Sequence, residues 1–247
     1  MKTVTILFLL LFYIILFLLL LSPSPVQTKR SSIKLYCFWT GDNKMSKNRL
    51  KAFNTLKKTN LNIILIKPSN LHNYILENHK LHEGYKYLSL THKADYLRCY
   101  FMTFYGGGYS DIKKTNKSWI PSIELINKNK NIYGIGYKEI GKHGVPTICH
   151  DIVKNNWKKL IGNGAYILKK NTPFVNEWYN KLLLEMDNNF EQLKKYPGKK
   201  PQEIWTKEYP YPFRWSQILG DIFHPLCYKY NVHILQSLPS PSFNNYR

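Results

Sequence analysis

The stretch from Thr91 to Lys113, THKADYLRCYFMTFYGGGYSDIK, decides the fold. Ala94, Leu97, Phe101 and Phe104 recur at i, i+3, i+7 and i+10, the spacing of one helical face, which predicts a helix over residues 91–105 with those side chains on the core. Asp95 and Arg98 stand three apart and share another edge of that helix. Gly106, Gly107 and Gly108 then stop it, because glycine takes left-handed backbone without steric cost. Residues 109–113 (Tyr109, Ser110, Asp111, Ile112, Lys113) read as a short strand whose end carries Asp111.

Upstream, residues 33–39 are a β-branched and aromatic run stopped by Thr40, Gly41, Asp42 and Asn43, as a strand and its turn would be. Residues 45–58 read as a helix with Leu50, Phe53 and Leu56 at helical spacing, and Asn62–Ile66 as a second strand closed by Pro68. This β-α-β order points to a parallel sheet covered by helices. Downstream, strands are expected at 132–137 and 165–168, and a long helix from Thr172 or Pro173 to about Lys195. An irregular Tyr/Pro-rich segment follows at 197–212, then a last helix near 213–219 leading into His224 and Pro225.

Composition agrees with a globular chain. Of 247 residues 44% are hydrophobic and 15% aromatic, too apolar for disorder. Residues 3–21 carry no charge, enough for a membrane span, and Ser22, Pro23, Ser24 and Pro25 follow. The run is longer than a signal-peptide core and lacks an Ala-x-Ala cleavage pattern. The expected organisation is therefore a signal anchor over 1–21, a stem over 22–32 and one globular domain over 33–247, held in the lumen of an ER/Golgi-like compartment. A cleaved signal peptide is the alternative. Cys37, Cys99, Cys149 and Cys227 show no metal-binding spacing and read as ordinary buried thiols, although four cysteines in a lumen could also pair. Lys and Arg number 36 against 15 Asp and Glu, a formal charge of +21, and only five are Arg. Part of this charge reads as solvated surface, part as available to an anionic ligand. No RNP, zinc-finger or KH pattern is present, which sets nucleic acid aside as a partner.

The helix with Asp95-x-x-Arg98, the glycine turn and the Tyr109-x-Asp111 strand end together resemble the DXD-type sugar-binding-region glycosyltransferases. These include Golgi mannosyl- and galactosyltransferases, capsule-type transferases and the large glucosylating toxins. The resemblance covers residues 33–168 best. It implies an α/β, GT-A type fold with a Rossmann-like mixed sheet. The activity implied is retaining transfer of a sugar from a nucleotide-diphosphate-sugar donor to a hydroxyl of a glycan or other acceptor. It assigns Asp111, Asp95 and Arg98 to catalysis, and Trp39, Asp95, Arg98, Gly107, Tyr109, Asp111, Lys113 and Asn163 to the donor, with Trp39 stacking on the base. Trp215, Asp221 and His224 fall in the stretch that closes over the donor in relatives.

One position departs from the pattern: Lys113 stands where the second Asp of the DXD belongs. In relatives that carboxylate ligates Mn2+ or Mg2+, and an ammonium cannot. Either Asp111, joined by His224, holds a cation differently, or Lys113 itself neutralises the leaving diphosphate. The same residues also carry plainer readings. Asp95 and Arg98 could be a surface ion pair, Trp39 core, and residues 161–167 around Asn163 a tight turn before a buried strand. A catalytically silent nucleotide-sugar or glycan binder on the same fold is the alternative function.

Overall fold

β1 (Lys34–Phe38) alternates strictly: Leu35 and Cys37 go to one face of the sheet, Tyr36 and Phe38 to the other. That period of two is why the strand is buried on both sides and must be covered twice. In the computed structural model, which describes residues 31–146 and 151–244, the chain continues through α1 (Lys47–Thr55) to β2 (Asn62–Ile66), which pairs parallel with β1. The N-terminal anchor and all but the last two residues of the stem lie outside the described residues. Among those described, no helix is long and apolar enough to cross a membrane.

α2 (Leu90–Phe104) starts at Ser89, whose hydroxyl accepts the His92 N–H, and stops where Gly106 turns left-handed at φ 64°. β3 (Gly107–Ser110) runs parallel to β1, registering Tyr36 with Tyr109. α3 (Ile120–Lys128) leads to β4 (Gly134–Lys138), and β5 (Ile161–Leu168) inserts antiparallel between β3 and β4. α4 (Pro173–Asn188) and α5 (Phe190–Lys195) follow, then α6 (Gly220–Lys229) and β6 (Ile234–Leu235), which pairs parallel with β4. The sheet order is β2-β1-β3-β5-β4-β6, mixed rather than all-parallel.

The two faces are packed differently. Beneath α2, α4 and α6 the core is aromatic: Tyr36, Phe101, Tyr166, Phe174, Trp178 and Phe223. Tyr166, Trp178 and Phe223 meet with ring centroids 4.9–6.2 Å apart, and each such fully buried ring stabilises by about 1.5–3 kcal/mol. Beneath α1 and α3 the core is mostly aliphatic, with Leu35, Leu56, Ile123, Ile126 and Ile135.

Several sequence expectations are corrected. Leu50 is 51% exposed; α1 buries Ala52 with half-buried Phe53, and Leu56 just past its end is buried too, because Leu50 faces an open groove with Met45 and Leu65. The strand expected at 109–113 begins two residues earlier and ends three residues earlier, since its pairing with β5 begins at Gly107 opposite Leu168 and ends at Ser110 opposite Ala165. Asp111 stands just past the strand. α2 is buried around most of its surface, Asp95 included, because α4 packs on it as well as the sheet. The long helix divides at Asn189, whose side-chain amide caps the Glu185 carbonyl at 2.8 Å. Residues 213–219 turn instead of forming a helix: Asp221 draws in Ser216 (2.7 Å) and Arg214 (3.1 Å), so α6 starts at Gly220 and carries Pro225 inside it. Cys37, Cys99 and Cys227 are buried free thiols; Cys149 lies outside the described residues.

Candidate functional site

The parallel strands β1 and β3 end side by side, and their C-terminal ends open into a cavity of about 350 Å3. Strand ends of this kind are where open α/β sheets take ligands. Trp39, one residue past β1, stands on its wall with the indole N–H donated to the Asn43 carbonyl at 2.7 Å. Trp215, half exposed, lines the same cavity from the 213–219 turn.

Asp111 is the hub. Its backbone N–H still reaches the Gly164 carbonyl at 2.8 Å, which fixes the carboxylate just beyond the sheet. Oδ1 accepts Arg98 Nη2 at 2.9 Å and the Tyr109 hydroxyl at 2.5 Å, while Oδ2 accepts Lys113 Nζ at 2.8 Å. Burial pushes this carboxyl up, but Arg98 and Lys113 outweigh it and hold it at about 2. Arg98 is gripped on three sides: Nη1 donates to the Asn163 carbonyl at 3.1 Å, Nη2 lies 3.5 Å from Asp95, and the guanidinium sits 4.6 Å over the Tyr109 ring. Asp95, one helical turn back on α2, is 3% exposed; burial, only partly offset by Arg98, raises its carboxyl to about 7.

Trp39, Arg98, Tyr109, Asp111 and Lys113 therefore meet at one cavity, with Asp95 behind Arg98. Three other candidates lie elsewhere. Gly107 is at the opposite end of β3, where it lines a separate cavity beside Ile33 and Lys34. Asn163 gives its main-chain carbonyl to Arg98 and lines a second cavity with Tyr137 and Glu139. His224 is fully buried, its Nε2 3.2 Å from Glu139 Oε2 rather than against Asp111.

Sequence reading missed Arg49, whose guanidinium lines the cavity and donates to the Ile112 carbonyl at 2.8 Å. A signal was available: arginine is scarce in this lysine-rich chain, and two of its five arginines stand in this one cavity. His92, inside the quoted stretch, is structural. Tyr211 donates its hydroxyl to Nδ1 at 2.9 Å, and Nε2 donates to the Arg214 carbonyl at 3.2 Å. Burial lowers its pKa to about 4, so the ring is a neutral tie between α2 and the 211–214 segment.

These residues do not fit a divalent cation. Both oxygens of Asp111 are taken by cationic or phenolic donors, and the neighbouring position offers an ammonium instead of a second carboxylate. Among the described residues no group of three or more His, Cys, Asp or Glu side chains could hold a metal ion. What the arrangement offers instead is positive charge: Arg49, Arg98 and Lys113 face one cavity whose lining carboxylate is Asp111. Guanidinium forks and an ammonium in such a cleft suit phosphate oxygens.

No protein-family model matches the chain, and no curated protein matches it. Among solved structures, one described as "PaToxG Glycosyltransferase" is similar at a TM-score of 0.41 and 15% identity, over 80% of this chain and 69% of that one.

Proposed function

We propose that the chain transfers a sugar from a nucleotide-diphosphate-sugar to a hydroxyl of a glycan or other acceptor, with retention at the sugar carbon. The observation that carries this reading is the convergence of Arg49, Arg98 and Lys113 with Asp111 and Trp39 on one cavity at the ends of β1 and β3. Trp39 offers an aromatic face to a base, and the three cations match a diphosphate. Asp111 accepts two donors on Oδ1 and one on Oδ2, which leaves one acceptor position on Oδ2 for a sugar hydroxyl. In the transfer step the acceptor oxygen bonds the sugar's anomeric carbon while the bond from that carbon to the diphosphate oxygen breaks. The acceptor's proton passes to that leaving oxygen, and Lys113 meets the charge that develops there in a site of low dielectric. The N-terminal apolar run would hold this domain at a membrane, on its lumenal side.

One feature favours a second reading. Asp111 is engaged on both oxygens by protein donors, so a nucleotide-sugar could be bound without being turned over. Screening a panel of nucleotide-sugars by thermal shift and by donor hydrolysis, with and without Mn2+, separates the two. Hydrolysis of at least one donor is expected. Binding without turnover under every condition would leave the silent binder, and no binding at all would remove both readings.

A further inference from the structure

Lys113 is a partition. One side of it lines the cavity just described; on the other its Nζ lies 4.2 Å from the centroid of Phe243, and there a second cavity of about 600 Å3 opens. The size is that of a small-ligand pocket. Tyr137 and Phe243 form an aromatic corner in it, with centroids 6.1 Å apart and planes at 58°. Glu139, Asn163 and Asn244 supply a carboxylate and two amides. A sugar ring has apolar C–H faces edged by hydroxyls, and a corner of rings bordered by amides and a carboxylate answers both.

The two cavities approach each other at Gly164. A Cβ there would stand 3.2 Å from the Tyr137 hydroxyl, 3.3 Å from Asp111 Oδ2 and 3.6 Å from Lys113 Nζ, so the three groups converge over bare backbone. Tyr137 belongs to the second cavity; Asp111 and Lys113 belong to the first. Asn163 links them again, its carbonyl on Arg98 and the residue itself in the second cavity. Glu139 is fixed in place: Oε1 accepts the Ile140 N–H at 2.7 Å, and Oε2 faces His224 Nε2 at 3.2 Å. Burial pushes its carboxyl up, yet His224 and Ile140 hold it below the usual carboxylate range. A carboxylate has about four acceptor positions, so two remain for a ligand.

We propose that this second cavity, beyond Lys113, binds the acceptor as a saccharide, with Glu139 accepting a hydrogen bond from one of its hydroxyls. The assignment rests on the glycosyl-transfer reading above. It gives His224 a role as the group that positions Glu139, and it makes Phe243 a wall shared with Lys113.

The test uses the full chain in detergent, saturated with a nucleoside diphosphate, and measures binding of methyl α-mannoside, methyl β-galactoside and lactose by saturation-transfer NMR. At least one saccharide should bind, and its affinity should fall about tenfold in Glu139→Gln, the scale of one hydrogen bond to a charged group. Phe243→Ala should weaken it comparably; Phe243 is 38% exposed, so this variant tests the site even if the Glu139 variant fails to fold. Wild-type saccharide affinity in both variants would overturn the inference. So would no saccharide binding by a chain that hydrolyses nucleotide-sugars, or displacement of the saccharide by the nucleoside diphosphate. A chain that neither binds nor hydrolyses nucleotide-sugars would instead remove the glycosyl-transfer reading beneath it.

Discussion

At its start β3 depends on Gly106 and Gly107, with φ of 64° and 90°; at its finish it runs into Asp111, whose carboxylate gathers a phenol and two cations. In the sequence these belong to one seven-residue pattern. In the fold they are about 13 Å of strand apart and answer different needs. Gly107 is required because a Cβ there would lie 2.8 Å from the Lys34 carbonyl oxygen, so the glycine lets β3 enter the sheet beside β1. Asp111 meets no such packing demand: it stands past the strand, gathering Arg98, Tyr109 and Lys113, and on the proposed reading it is required by what the cavity binds. A motif can thus join a folding element to a chemical one, and adjacency in it does not make both ligand contacts.

The strongest test of that division is at the chemical end. Asp111→Asn should cut donor hydrolysis and transfer by more than about a thousandfold, since it removes the charge around which Arg98 and Lys113 are arranged. Because those cations are largely buried, a loss of melting temperature is also expected, but circular dichroism should still report the native fold. Near-normal turnover by the Asn variant would take Asp111 out of the chemistry.

Lys113→Ala should cost about a hundredfold in turnover, whether or not Mn2+ is added, while the parent activity survives EDTA. Lys113→Asp rebuilds a pair of acids and should bring metal dependence where there was none. Strong stimulation of the unaltered chain by Mn2+ would show that Lys113 does not meet the leaving charge.

At the folding end, Gly107→Ala should destabilise by roughly 1–3 kcal/mol through left-handed strain and the clash with Lys34. Nucleotide-sugar affinity of the folded protein should be unchanged. A variant that melts normally but loses the donor would place Gly107 in the binding site after all.

The contrast also explains what was legible beforehand. β1, β2 and α2 were readable because period and punctuation agree there: alternation in β1, 3.6-residue spacing in α2, glycines at its stop. Asp95, Arg98 and Asp111 were grouped by the resemblance, and the structure brings them together because a helix edge and a strand end are joined by so short a turn. Less was readable where a residue's partner comes from far along the chain. Glu139 and His224 are 85 residues apart, and the exposure of Leu50 depends on which neighbours leave a groove beside β2. The antiparallel insertion of β5 follows from long-range pairing that no local pattern encodes. Arg49 reaches the cavity from α1 by pairing with a main-chain carbonyl, which leaves no motif.

The remaining test separates the two carboxylates that share Arg98. Asp111 is held at about 2, below an ordinary aspartate, so its contribution to stability is present above about pH 4 and is lost as pH falls toward 2. Asp95 is raised to about 7, so the sign reverses: its contribution is fully present below about pH 4 and is lost as pH rises through 7. His92, lowered to about 4, acts in the opposite direction over much of the same range, so the slope of the unaltered chain alone does not isolate Asp95. The difference between Asp95→Asn and the parent does. Asparagine keeps the shape and cannot ionise, so the variant's melting temperature relative to the parent should climb steadily from pH 4 to pH 7 and then level off. A flat difference across that range would mean that Arg98 pairs with Asp95 fully enough to keep it an ordinary ionised aspartate, and the two acids would then be alike in charge as well as in partner.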